Sequence, residues 1–595
     1  MVGVAAKLSS SETRSCSCGY AFDLMEESSI NKGCGICGGP QTLAYKGSIS
    51  SADASAMAPS AHQSGLYGDL FRCADCGTIA QPSLPGGDSL HSLYRDMIDT
   101  AYLAEEEGRR LTALRLIDLI GKYVPAGRLL DVGCGHGLLL DEARRRGYQS
   151  TGLELSSANA GYARDVLGLD VREVGLEDFN DADGFDVVVL ADVIEHLDDP
   201  VSAIDHCKNL LAPGGVLCIV TPDPSARIAR LAGGRWWGFV PAHTFLMPRV
   251  TLHEILSGTG LICSENTDLI RSFALSYWIS GLADRGGLFS ILRPLANSPI
   301  GRRMVSLSLG DEAVILAHRT EPVRARQPIM SDRGGKQSIH VVLPAYNAEQ
   351  TVGLVASELP REEADRALLV DDAGSDNTEE AALAAGFDVL RHPKNRGYGA
   401  NQKTCYVRAA IDGADVVVMV HADNQYDPGL IGEMIRPIAE GRADCVIGSR
   451  MLDDRAIQGG MPRWKWIGNK FLTWCENTAF RRDYSEYHTG YRAFSVELLN
   501  RMAFLRNDDD FVFDQEIFAQ LTAHNARVVE IAIPTRYFLE ASSVSFRTSV
   551  IYGLRTLSVL WRFRRDERRR NWSLLRPPAA RLLATENSTD AAKRK

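Results

Sequence analysis

Nowhere in this sequence does an apolar run reach the length needed to cross a bilayer, and Met1 to Ser17 lacks the apolar block of a secretory leader. Both absences predict a chain that stays in the cytoplasm. Positive charge is in short supply: 65 Lys and Arg against 75 Asp and Glu leave a formal net charge of -10. That balance argues against nucleic acid as a partner, because phosphate recognition needs a basic surface. A disulfide framework is missing too. Of 13 cysteines, seven stand singly in predicted strands and helices, Cys134, Cys218 and Cys405 among them, and read as small core residues of a reducing compartment. The remaining composition is that of ordinary globular protein, 45% hydrophobic and 24% charged over 595 residues, enough for about three to five domains.

The other six cysteines crowd the amino terminus. Cys34-Gly-Ile-Cys37 and Cys73-Ala-Asp-Cys76 are two C-x-x-C knuckles, each followed by glycine, and four such thiolates can close a tetrahedral Zn²⁺ site. Unliganded thiols or a redox pair are the alternatives. Cys16 and Cys18 fit neither knuckle, and the Ser/Ala-rich stretch 48–64 reads as a flexible excursion between them. Residues 1–30 form a flexible lead and 31–95 a small zinc-ribbon-like segment.

From Gly127 onward, short apolar runs alternate with helical periods, which implies an α/β fold with a parallel sheet covered on both faces. The first run enters the turn of LLDVGCGHG, whose Gly133, Gly135 and Gly137 lack the third-glycine spacing of the dinucleotide motif and so disfavour NAD. Glu154 ends the next strand about twenty residues on, where a carboxylate can accept ribose hydroxyls.

These motifs resemble a class I S-adenosylmethionine-dependent methyltransferase, Rossmann-like in fold, with a zinc-knuckle segment, over residues 96–319. The resemblance implies cofactor contacts from Asp131, the three glycines and Glu154. It places Asp192, at the end of the fourth strand, beside the methyl group. Asp178, or Glu177, would reach the adenine, unless both are solvated loop acids. Orientation carries most of methyl transfer, with a base added for a hydroxyl acceptor. His196 and His243 are the candidates, His196 having the alternative of positioning a helix start.

Residues 320–338, with Pro, Gly and charge but no apolar period, read as a linker. A second alternation then begins with VVLPAYNAEQ and runs through LLVDDAGSDNT to VVVMVHADNQYDP. It resembles a family 2 glycosyltransferase of GT-A fold over 339–540. That likeness implies nucleotide-sugar contacts from Pro344, Tyr346, Asn347, Asp371, Asp372 and Gly397. It implies a divalent cation, Mg²⁺ or Mn²⁺, at His421, Asp423 and Gln425. The first carboxylate of the usual Asp-x-Asp is here His421, a softer ligand that shifts preference toward Mn²⁺. Asp423 is the central residue for catalysis, and Asp514, or else Glu516, is the acid nearest the acceptor. His488-Thr-Gly-Tyr-Arg492 resembles the acceptor-phosphate motif of dolichyl-phosphate mannosyltransferase-like enzymes, although Arg492 could instead hold the donor diphosphate.

Finally, Phe546, Val550, Leu554, Leu557 and Trp561 fall on one helical stripe, and WRFRRDERRR follows with six arginines in ten residues. Residues 541–570 therefore read either as a helix lying on an anionic membrane's inner face or as one packed on its own domain. Residues 571–595 read as disordered. The two resemblances together imply a bifunctional inverting glycosyltransferase and methyltransferase acting on a saccharide or polyprenyl-phosphate acceptor, and their pairing suggests surface glycan or glycolipid synthesis. The alternatives are a glycosyltransferase carrying a non-catalytic S-adenosylmethionine-binding module, and a scaffold with a degenerate transferase.

Overall fold

The computed structural model describes residues 33–49, 66–81, 95, 102–283, 293–330, 337–452, 461–534, 546–566 and 572–579. Cys16, Cys18, most of the Ser/Ala-rich stretch, part of the linker and the last sixteen residues lie outside the described residues. Strands β1 (Gln41–Tyr45), β2 (Leu70–Cys73) and β3 (Ile79–Ala80) form the antiparallel knuckle segment, and β3 pairs with Phe245–Leu246 of the next module.

The methyltransferase-like module contributes β4 (Arg128–Val132), β5 (Gln149–Leu153), β6 (Asp170–Arg172), β7 (Phe185–Ala191) and β8 (Leu211–Pro222). Their sheet is completed by the strands Leu261–Asp268 and Glu312–Arg319. Counted along the chain within this sheet, the spatial order is 3-2-1-4-5-7-6, with the seventh strand antiparallel to both neighbours. Successive residues of β7 alternate between two cores, Val187 and Val189 on one face, Val188 and Leu190 on the other. A sheet covered on both faces produces this pattern, and it explains why these strands read as unbroken apolar runs.

The third sheet holds Ile339–Ala345, Arg366–Asp371, Asp388–Arg391, Val416–Met419, Cys445–Ser449, Arg492–Ser495 and Val528–Ala532. Its order is 3-2-1-4-6-5-7, and the sixth strand runs antiparallel to its neighbours. Here too alternate residues face opposite cores, Val341 and Leu343 against Val342.

The expected linker is not a free spacer where it is described. Val323 exchanges backbone hydrogen bonds with Val389 on the sheet edge, 2.7 and 2.9 Å, and Ile329 and Met330 are buried in the core of the third module. An edge strand offers unpaired backbone groups, and the apolar side chains anchor the segment there. Contacts also join the two large modules. Arg506 donates through Nε and Nη2 to Glu254 at 2.7 and 2.9 Å with both side chains buried, and Glu265 accepts from Tyr123 Oη at 2.6 Å and Lys394 Nζ at 2.9 Å.

Candidate active sites

In the second sheet, β4 delivers buried Asp131 to the turn that follows. Gly133, Gly135 and Gly137 all have positive φ, 67°, 54° and 79°, a conformation that strains any residue with a Cβ. Gly137 also caps the helix Leu138–Arg145 against Leu169 and Ala163, where a Cβ would clash. Glu154, buried at the end of β5, accepts from the backbone N–H of Gly135 and of Ser156, each at 2.7 Å. Burial, and then the charge of Glu154, push the Asp131 carboxyl up to about 8. Burial raises Glu154 too, against the pull of its two N–H donors. Two buried acids beside this glycine turn suit a cation that carries hydroxyl groups.

Asp192 follows β7 at φ 55° and accepts from Arg271 Nη2 at 2.9 and 3.0 Å. Arg271 gives no motif in the sequence, and neither does Tyr102, which stacks on His136 with centroids 4.8 Å apart. Tyr102 lies within electrostatic reach of Asp131 and Asp192, so the segment at the start of this module closes over the turn. His196 and His243 are brought edge to face, centroids 4.8 Å apart. Burial, then His196, drive the His243 imidazole down to about 3. Glu177 and Asp178 sit exposed on the short turn Leu176–Asp178.

The four knuckle cysteines converge as the spacing suggests, with Cys34 to Cys76 at 3.7 Å and Cys37 to Cys73 at 3.4 Å between sulfurs. All four sulfurs lie within 4.8 Å of one another. Zn–S bonds of about 2.3 Å give a tetrahedron of edge about 3.8 Å, close to this spacing. Gly38 and Gly77 take positive φ after each knuckle, and Gly39 N–H points at Cys37 Sγ, 3.4 Å.

In the third sheet, Pro344 lies in the first strand, exposed Tyr346 follows it, and Asn347 takes φ 53° while its Oδ1 accepts from Ser375 N at 2.8 Å. Asp371 is fully buried at the end of its strand. Its Oδ1 accepts from Gly374 N, and its Oδ2 has no hydrogen-bond partner. Asp372, also expected at the donor, has a structural task. Both its oxygens are engaged within the protein, by His392 Nδ1 at 2.6 Å, Arg396 N at 2.9 Å and Gly397 N at 2.8 Å. It holds the 395–397 turn in place.

Arg492 is held by partners within the protein. Lying in the sheet interior it is wholly buried, and it donates to Asp514 Oδ1 at 2.8 Å while its guanidinium sits 5.2 Å from the Phe518 ring centre. Its backbone pairs with Met419 and Ile447, which fixes its place in the sheet. Asp514 accepts as well from Gln402 Nε2 at 3.2 Å and Tyr398 Oη at 3.4 Å, and Tyr398 Oη lies 3.2 Å from His421 Nε2. His421, Tyr398, Asp514 and Arg492 thus form one connected network. Asp423 beside it is half-buried, with Oδ1 accepting from Gln425 N at 3.1 Å. His488 turns away toward the last helix, its Nε2 3.1 Å from Glu476 and its Nδ1 2.9 Å from Tyr552 Oη. Burial disfavours its charge, but Glu476 outweighs that and holds the imidazole above its ordinary value. Burial pushes Glu516 up to about 7.

Two sheets, each ending in acids beside a small-residue turn, make this a protein of two α/β domains, and the family matches identify both domains as transferase domains. Residues 104–265 match a family model described as methyltransferase domain, and residues 340–504 match one described as glycosyl transferase family 2. An uncharacterized protein of Methanocaldococcus jannaschii is 31% identical over 225 residues, 37% of this chain and 90% of that protein. A UDP-N-acetylglucosamine–dolichyl-phosphate N-acetylglucosaminyltransferase of Methanococcus voltae is 26% identical over 36% of this chain and 92% of its own length. A ubiquinone biosynthesis O-methyltransferase of Alkalilimnicola ehrlichii is 35% identical over 118 residues, 18% of this chain and 48% of that enzyme.

Proposed function

We propose that this chain is a bifunctional enzyme that transfers methyl from S-adenosylmethionine at Asp131, Glu154 and Asp192, and a sugar from a nucleotide-sugar at Asp371 and Asp423 with inversion. The observation that carries this reading is the presence in one chain of two sheet ends with buried acids, Asp131 with Glu154 and Asp371, each beside a turn of positive φ. Asp423, with His421 and Gln425 on the same turn, would hold Mg²⁺ or Mn²⁺, and that ion would stabilise charge on the departing nucleotide. Zn²⁺ on the four cysteines would be structural. Asp514, oriented by Arg492, is the acid nearest the acceptor side of this network.

A lipid-linked acceptor is supported by one surface. On the helix Phe546–Asp566, Leu560 and Phe563 pack inward, while Val550, Leu554, Leu557 and Trp561 of the predicted stripe face outward, Leu554 63% and Trp561 61% exposed. The neighbouring helix Arg463–Phe480 adds Ile467 at 61% and Trp474 at 65%. No helix among the described residues is long and apolar enough to cross a membrane. Exposed tryptophans among Lys465, Lys470 and Arg565 suit the interface of an anionic lipid surface instead. The pairing of both activities on a surface glycan or glycolipid follows as the reading that gives one chain a use for all three features.

A thermal-shift screen of the full chain tests the reading. S-adenosylmethionine should raise the midpoint in wild type and in Asp423→Ala, but not in Glu154→Gln. A UDP-, GDP- or dTDP-sugar with Mn²⁺ should do so in wild type and Glu154→Gln only. Absence of either ligand's shift in the wild-type chain removes the corresponding activity.

A further inference from the structure

The two histidines belong to a larger cluster. Glu195 precedes His196 in the turn Ile194–His196, and its side chain is fully buried. Thr221 donates to Glu195 Oε2 at 3.0 Å, whereas Oε1 has no hydrogen-bond partner. A buried carboxylate oxygen left so is costly unless a proton or a cation completes it. One ligand atom from each of Glu195, His196 and His243 lies within 4.8 Å of the others.

Both imidazoles are oriented by the same device. Nδ1 of His196 lies 2.9 Å from Ala242 O, and Nδ1 of His243 lies 2.7 Å from Gly238 O. A carbonyl only accepts, so in the neutral rings Nδ1 carries the proton and Nε2 keeps its lone pair. Backbone carbonyls impose this same arrangement on histidines that bind metals. The two segments are fastened together, because Thr244 N and Oγ1 both donate to Glu195 O, at 2.8 and 3.0 Å. Asp192, at the methyl-transfer end of the sheet, acts electrostatically on all three residues.

We infer that Glu195, His196 and His243 form a site for a divalent transition-metal ion that binds a hydroxyl of the methyl acceptor. The inference rests on the methyl transfer proposed above. Two imidazole nitrogens and one carboxylate oxygen suit Mn²⁺, Fe²⁺, Co²⁺ or Zn²⁺ better than Mg²⁺ or Ca²⁺, and three protein ligands leave positions open. A hydroxyl bound there loses its proton to solvent water. Its oxygen pair then forms the bond to the methyl carbon as the carbon–sulfur bond breaks, its electrons passing to sulfur and leaving a neutral thioether. Neither histidine has to act as the base.

Mn²⁺ binding followed by electron paramagnetic resonance tests this on the full-length Asp423→Ala chain, which lacks the carboxylate of the sugar-transfer site. The four thiolates select softer ions than Mn²⁺. One Mn²⁺ per chain is expected, with affinity falling about tenfold or more on adding Glu195→Gln or His243→Ala. S-adenosylmethionine affinity, read by calorimetry, should stay unchanged in these variants and reports that they are folded. Should Glu195→Gln fail to fold, His243→Ala decides alone. The site is overturned if the Asp423→Ala chain binds no Mn²⁺, or if the folded variants bind it as tightly. A chain that loses Mn²⁺ with Glu195→Gln yet never binds S-adenosylmethionine sustains the ion site and overturns the methyl transfer it would serve.

Discussion

Gly490 lies directly beneath His421: a Cβ built at position 490 would overlap the imidazole at Nε2. The glycine is in the segment before the sixth strand of the glycosyltransferase sheet and the histidine on the turn after the fourth, so sheet order alone brings them together. Gly490→Ala should push His421 off its rotamer, at about 1 kcal/mol in stability, and break its contact with Tyr398. Nucleotide-sugar turnover should fall about tenfold or more with little change in midpoint. Unchanged turnover would separate His421 from the reaction.

The buried Arg506–Glu254 pair links the two transferase modules, and Ala579 N also donates to Glu254 at 3.0 Å. Removing one partner of such a pair leaves an uncompensated charge at a cost of about 3–5 kcal/mol. Arg506→Ala should therefore split the calorimetric unfolding of the chain into two transitions, one per module. A single transition at the wild-type midpoint would show the modules to be independent of this contact.

Asp131 binds its proton up to about pH 8 in the folded state, against an ordinary value of 3.8. The native state therefore holds more protons than the unfolded chain between these values, and this residue's contribution to stability declines as pH rises from 3.8 through about 8. A cationic sulfonium ligand favours the ionised form. S-adenosylmethionine should bind more tightly as pH rises through this range, releasing up to about one proton near pH 7. Calorimetry in two buffers of different ionisation enthalpy measures that release. Asp131→Asn should abolish it, and its persistence in that variant would assign the proton elsewhere.

The outward face of the two amphipathic helices should bind anionic vesicles. Trp474→Asp with Trp561→Asp should weaken co-sedimentation about tenfold or more, while S-adenosylmethionine binding stays intact. Equal sedimentation of the double variant would rule this face out as the lipid contact.

Much of the architecture was legible in the residues. The paired knuckles, the Gly133–Gly137 turn and the acids at 131, 154, 371 and 423 are local patterns, each a strand running into a small-residue turn, and the structure places them at sheet ends. Less legible were residues whose partners are remote. That the 395–397 turn folds back onto the Asp372 carboxylate has no signal in the local sequence. Nor does the inward course of Arg492 to Asp514. The stripe at Val550, Leu554, Leu557 and Trp561 was visible as a period, yet which side of that helix is covered depends on where Leu560 and Phe563 find neighbours.

The sequence by itself determined two α/β modules, their order, the cysteine cluster and the acid at each strand end, because alternation and turn chemistry act over a few neighbouring residues. Only the tertiary structure decided that Glu195, His196 and His243 come together, that His421 rests against Gly490, and that Arg506 reaches across to Glu254. Those meetings depend on crossovers that reorder the strands in space, and no spacing along the chain encodes the distance between residues joined that way.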